Sequence, residues 1–152
     1  MKQINKIMQV LVIALNGSFI GAMILIAIVL VPFWQLSEPQ LFLDWFSTYG
    51  HLIGSVMVPF GPGVLILAIL TCCLSTENRK LWFLTIIFML ANMLYYPIYY
   101  VPTNTSFAEQ TIDVARVSNE LSTWLTLHWQ RIFFAIAALV TSILAVTKKS
   151  IK

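Results

Sequence analysis

Long apolar blocks separated by short polar interruptions organise this chain. Four blocks stand out, at about Met8–Val31, Leu52–Ser75, Leu81–Val101 and Trp124–Val146. Each approaches the roughly 20 residues that a helix needs to cross a hydrocarbon core. The backbone must satisfy its own hydrogen bonds in lipid, so helices are expected, and the alternating pattern of a barrel strand is absent. The pattern predicts an all-α integral membrane four-helix bundle, with residues 1–152 forming one four-span domain.

The interruptions carry structure of their own. Ser37-Glu38-Pro39-Gln40 reads as a capping box, followed by Leu41, Phe42, Trp45 and Phe46 at helical spacing. A short amphipathic helix lying on the membrane surface is expected there. Ser106 and Glu109 form a second capping box, which predicts a short helix to about Ser118 in the other long loop. Ser122 or Thr123 would then cap the fourth span. Pro59-Phe60-Gly61-Pro62-Gly63 falls inside the second span and predicts a bend or local unwinding.

Charge gives the bundle a direction. Lys2 and Lys6 precede the first span, Arg79 and Lys80 sit in the short turn between the second and third, and Lys148, Lys149 and Lys152 follow the fourth. With four spans all of these share one side, which the positive-inside rule makes cytoplasmic. Both termini are therefore expected inside. In a bacterium the membrane would be the inner (cell) membrane, with the two long loops outside. The net charge of +3 forms no basic stripe, so nucleic acid is not an expected partner. The start of the chain has the look of a signal peptide. Its apolar block runs to about Pro32, past the usual 7–15 residues, and reads as an uncleaved first span.

Composition narrows the chemistry. Charged residues make up 10% of the chain against about a quarter in a soluble domain, so each charge within a span needs a reason. Cys72 and Cys73 are adjacent and read as packing residues rather than a redox pair. Gly17 and Gly21 form a Gly-x-x-x-Gly pair. Close packing within the bundle is the preferred reading, and a homodimer through that face is the alternative. Asn16 is expected to point inward as interhelical glue. His51 reads as an interfacial histidine. No carboxylate lies within the spans, and no His-x-x-x-His or Glu-x-x-His pair occurs, so no metal site or cofactor is predicted. A haem or metal between His51 and His128 is a third, less favoured class, and a thiol-disulfide oxidoreductase is less favoured still.

The candidate site is Trp124-Leu-Thr-Leu-His128-Trp-Gln-Arg131 at the mouth of the fourth span. Helical spacing places residues 124, 128 and 131 on one face. The bland alternatives are an Arg131 that snorkels to the headgroups and a His128 bonded to a loop. Tyrosines crowd the end of the third span, more than one face can hold, and spacing groups Asn92, Tyr96 and Tyr99 on a face that could line a pocket.

These motifs resemble those of the anthrone-oxygenase-like family of small four-span membrane proteins, a domain of unknown function. The features that carry the resemblance are Gly17 and Gly21, Pro102-x-Asn104, and Trp124-x3-His128-x2-Arg131. The family includes fungal enzymes implicated in oxidising anthrones to anthraquinones. The resemblance implies a cofactor-independent oxygenase acting on a planar phenolic or quinol-like substrate. His128 would be the base, Arg131 and Asn104 would stabilise the oxyanion, and Trp124 with the tyrosines would hold the ring. The alternative is a non-enzymatic protein that binds a lipid, a quinone or another hydrophobic aromatic molecule in the same pocket, or an accessory membrane protein.

Overall fold

The computed structural model describes residues 2–148; Met1, Lys149 and Lys152 lie outside them. Four helices dominate: α1 (Gln3–Leu36), α2 (Pro39–Leu74), α3 (Arg79–Ala108) and α4 (Val114–Thr147). Each is long and apolar enough to cross a membrane. All four exceed the lengths predicted from the apolar blocks. At 1.5 Å per residue, α2 with its 36 residues is about 54 Å long, against about 30 Å of hydrocarbon. The excess extends the bundle past the apolar layer.

Neighbouring helices run antiparallel in a closed ring, α1 against α2 and α4, and α3 against α2 and α4. One end, here the terminal end, holds Asn5, Lys148 and the Ser75–Asn78 turn. There Asn78 Nδ2 donates to Lys148 O at 2.7 Å, and Ser75 Oγ donates to Asn5 Oδ1 at 3.4 Å. The cationic Lys6, Arg79, Lys80 and Lys148 therefore share that end. The other, capped end holds the α1–α2 and α3–α4 connections.

The core divides along the same axis. Toward the terminal end, Val12, Phe19, Val64, Ala68, Trp82, Met89, Ala135 and Ala138 form one buried apolar cluster. Ala135, Ala138, Ser142 and Ala145 give α4 a stripe of small buried residues, which lets α3 come close. Thr85 and Thr141 hydroxyls meet across that seam at 2.8 Å. Asn16 points inward as expected, its Nδ2 donating to Ala135 O at 3.1 Å. Toward the capped end the core is aromatic: Trp34, Phe42, Phe46, Tyr100, Phe107 and Trp124.

Several local expectations are corrected. Leu41–Phe46 is not a separate surface helix but the first turns of α2. Ser37 Oγ donates back to Phe33 O at 2.9 Å, so it closes α1 and does not cap α2. Nothing after Phe46 stops the helix, because the bare Gly50 accepts the Phe46 ring, which would lie 2.8 Å from a Cβ there. Ser106 and Glu109 likewise end a helix instead of starting one. Gln110 adopts φ 53, and Thr111 N donates to Ser106 O at 3.0 Å while Gln110 N donates to Phe107 O at 3.3 Å. Those two bonds and the left-handed residue make a Schellman stop. The fourth helix starts earlier than predicted. Asp113 caps its opening 3-10 turn, Val114–Arg116, by accepting from Ala115 N at 3.0 Å. Ser122 and Thr123 sit inside the helix and donate to Ser118 O and Asn119 O.

Two glycine and proline expectations also change. Helix α2 runs through Pro59 and Pro62 without an unwound segment. Gly17 and Gly21 pack against no other helix of the chain, since a Cβ at either meets nothing within 4 Å. Irregularity appears elsewhere: α1 contains a π-helical turn at Ile26–Leu30, and α3 contains one at Tyr96–Tyr100.

Candidate functional site

A cavity of about 570 Å³ lies in the capped half of the bundle. All four helices line it, with residues drawn from both core clusters. Of the residues singled out from sequence, Trp124, His128, Arg131, Asn104, Asn92 and Tyr96 line this one space. Tyr99 does not. Its hydroxyl donates to Glu120 Oε1 at 2.6 Å, away from the cavity. Tyr100 takes its place on the wall.

The π turn explains that exchange. A straight α-helix turns 100° per residue, so residues 92, 96, 100 and 104 would drift 40° at each step. A π turn holds more residues per revolution and cancels part of the drift. Pro97 sits inside it and has no N–H to hold the regular ladder. The result is one wall carrying Asn92, Tyr96, Tyr100 and Asn104.

His128 is fully buried and has one protein partner. Its Nε2 lies 2.9 Å from Met23 O, and its Nδ1 has none. A carbonyl can only accept, so Nε2 carries a hydrogen. In the neutral ring Nδ1 is then a bare lone pair. The ring stacks on Trp124 with centroids 4.8 Å apart and planes at 20°. The indole is fixed in turn. Trp124 Nε1 donates to Asn104 Oδ1 at 3.0 Å, and Trp124 O accepts from Tyr100 Oη at 3.1 Å. Trp124 thus spends one face on the His128 ring, which leaves less of its surface for a flat ligand.

Arg131 points back along α4 toward the same group. Its guanidinium carbon sits 4.6 Å above the Tyr100 ring centroid, a cation–π contact. Its Nε is buried without a partner. The nearest carboxylate on its own helix, Glu120, is about 16 Å away along the axis and already holds Tyr99. The snorkelling alternative does not describe this side chain, which lines an internal space.

The two asparagines are oriented by what they touch. Asn92 Nδ2 donates to Arg131 O at 2.7 Å, leaving Oδ1 as a buried acceptor without a partner. Asn104 accepts on its Oδ1 and keeps its NH2 group as a donor. Guanidinium and amide donors and two buried, unpartnered acceptors, Asn92 Oδ1 and His128 Nδ1, therefore belong to residues that line one cavity. His51, read as interfacial, is exposed and also lines the cavity, at its rim. Residue spacing alone missed Tyr100 and the part played by His51. Pro97 inside the tyrosine run and Pro102 after it were the signal that the face would not follow a straight helix.

No protein-family model, curated protein or solved structure matches the chain.

Proposed function

We propose that the chain is a membrane-embedded, cofactor-independent oxygenase of the anthrone-oxygenase-like kind, acting on a planar phenolic or quinol-like substrate in this cavity. The observation that carries the reading is the buried, unpartnered Nδ1 of His128 in a cavity shared with a guanidinium that has no carboxylate partner. An ionisable group within a span is a functional candidate by default, and here two converge. The size of the space, about 570 Å³, suits a small polycyclic molecule.

The chemistry closes without a cofactor. His128 Nδ1 takes a proton from a ring-activated CH2 group, and Arg131 with the Asn104 NH2 group stabilises the delocalised anion. The anion adds dioxygen, the imidazolium returns the proton, and the hydroperoxide loses water to leave a ketone. One substrate and one dioxygen give one quinone and one water. The capped end faces outward in this reading, because Lys6, Arg79, Lys80 and Lys148 gather at the opposite end.

The test is oxygen uptake by the purified protein with an anthrone, together with the appearance of the quinone absorbance. Wild type should consume one dioxygen per quinone. His128→Ala should lower kcat by about 100-fold or more, the scale of a lost general base. Turnover at the wild-type rate in His128→Ala would refute the assignment. Binding of the anthrone with no turnover in wild type would favour the non-enzymatic binder, which the aromatic walls serve equally well.

A further inference from the structure

The cavity has walls of two kinds. Its lining residues on α1 and α4, including Phe19, Trp34, Trp124 and His128, are buried or half-buried. Every exposed lining residue belongs to α2 or α3: His51, Val58 and Pro62 on one side, and Leu90, Tyr96, Val101 and Thr105 among those on the other. The opening is therefore the seam between α2 and α3.

That seam is closed at both ends. At the capped end Phe107 of α3 meets Phe42 and Phe46 of α2, with ring centroids 5.1 and 5.5 Å apart. Above them Gln110 bridges the helices, donating to Asp44 Oδ1 at 3.1 Å and accepting from Gln40 Nε2 at 3.2 Å. Trp34 fills the same roof, 5.7 Å from the Phe46 ring. Toward the bundle middle α3 closes on α2 at Gly61, where a Cβ would stand 3.4 Å from Met93 Cγ. Between roof and floor the helices part. Gly54 sits in that stretch, and a Cβ there meets nothing within 4 Å. Along α3 the stretch from Met93 to Phe107 covers about 21 Å at the helical rise.

We propose that this seam is a lateral entrance from the bilayer, and that the molecule the cavity takes is an amphiphile: an oxygen-bearing aromatic head on a long aliphatic tail. This rests on the cavity being the ligand site argued above, and it names the substrate class. The aqueous face is roofed by aromatic rings and a polar clasp, so the open approach is sideways, where acyl chains lie. The deep wall carries the polar groups: Arg131 without a counter-ion, and the free Asn92 Oδ1 and His128 Nδ1. The slit wall is apolar and elongated. A phenol or quinol head satisfies the first, and a tail lying between Val58 and Leu94 satisfies the second. A compact, tail-less ring would leave the slit to lipid.

The experiment uses the full chain in phospholipid nanodiscs with two probes, 4-dodecylphenol and 4-ethylphenol, and reads their dissociation constants. Gly54→Phe fills the slit where there is room, and Val58→Trp plugs the same wall should the first variant misfold. The expected result is at least tenfold weaker binding of dodecylphenol in the plugged protein, with ethylphenol binding changed less than threefold. A dodecylphenol carrying a diazirine at the chain end should cross-link to residues 50–62 and 90–101. Unchanged dodecylphenol binding, equal loss of both probes, or cross-linking confined to the capped-end connections would each overturn the lateral route. Failure of the site itself looks different: wild type then binds neither probe, or binds both with no loss in Arg131→Met.

Discussion

Arg131 is where stability and the proposed function oppose each other. A guanidinium within a span is unfavourable by about 3 kcal/mol on insertion scales, and its contact over Tyr100 returns about 1–2 kcal/mol. No carboxylate is close enough to supply the rest. Arg131→Met keeps the length of the side chain and removes the charge. The expected result is a protein more stable by about 1–2 kcal/mol in thermal unfolding, with phenol binding lost. Arg131→Lys should retain neither benefit, because an ammonium is a compact point charge and does not spread over the Tyr100 ring as a planar guanidinium does. A Met variant that unfolds earlier than wild type would show that Arg131 serves the fold. At this scale the sequence was informative. The rarity of charge within the spans singled out Arg131, and helical spacing joined it to His128 and Trp124. It could not say which nitrogen of His128 is free, because that depends on Met23 O, a backbone atom 105 positions away.

At the scale of the element, the four helices follow from hydropathy, but their ends and their two π turns do not. Capping boxes mark where side chains could satisfy a helix start. Ser37 and Ser106 both found a carbonyl in the preceding turn instead. Helix length was underestimated because the predicted spans counted only what a bilayer core needs, and polar residues extend the same helices beyond it. Tyr99 was placed on the wrong side because a face computed for an ideal helix ignores the π turn. That turn makes its own prediction. A π turn amounts to one extra residue in an α-helix. Deleting Ile98, exposed on the outer side, together with Pro97→Ala should restore a regular helix. Counted from Asn92, Tyr96, Tyr100 and Asn104 would then fall four, seven and eleven positions along, a common face because these counts are near whole turns of 3.6 residues. The double variant should fold, and its affinity for 4-ethylphenol should stay within about threefold of wild type. Deletion of Ile87, in regular helix, should abolish binding because everything beyond it rotates by 100°. Equal loss in both deletions would show that the π geometry itself shapes the wall.

For the whole molecule, the two halves of the bundle divide the work. Helices α1 and α4 meet through Asn16 and Ala135, and α3 and α4 through Thr85 and Thr141, all in the half near the termini. Small residues allow the close approach, and tight packing stabilises helices that have no hydrophobic drive to associate in lipid. The capped half spends its packing on a roof and leaves a space beneath. A cavity lowers stability, because its lining atoms lose contacts they would otherwise make. The arrangement is workable only if the other half holds the helices in register. Substitutions should therefore separate by half. Ala138 is fully buried in the α4 small-residue stripe, and Ala138→Leu would force extra volume into a closed seam. Its expected effect is a loss of about 1–3 kcal/mol in unfolding free energy. Tyr96, 37% exposed at the slit, has no such neighbours to displace. Tyr96→Ala should leave thermal unfolding within about 0.5 kcal/mol of wild type while weakening the binding of an aromatic head group. Measuring both variants for both properties decides the matter. If Ala138→Leu spares stability, or Tyr96→Ala lowers it as much, the division into a structural half and a binding half is wrong, and the cavity walls themselves hold the bundle together.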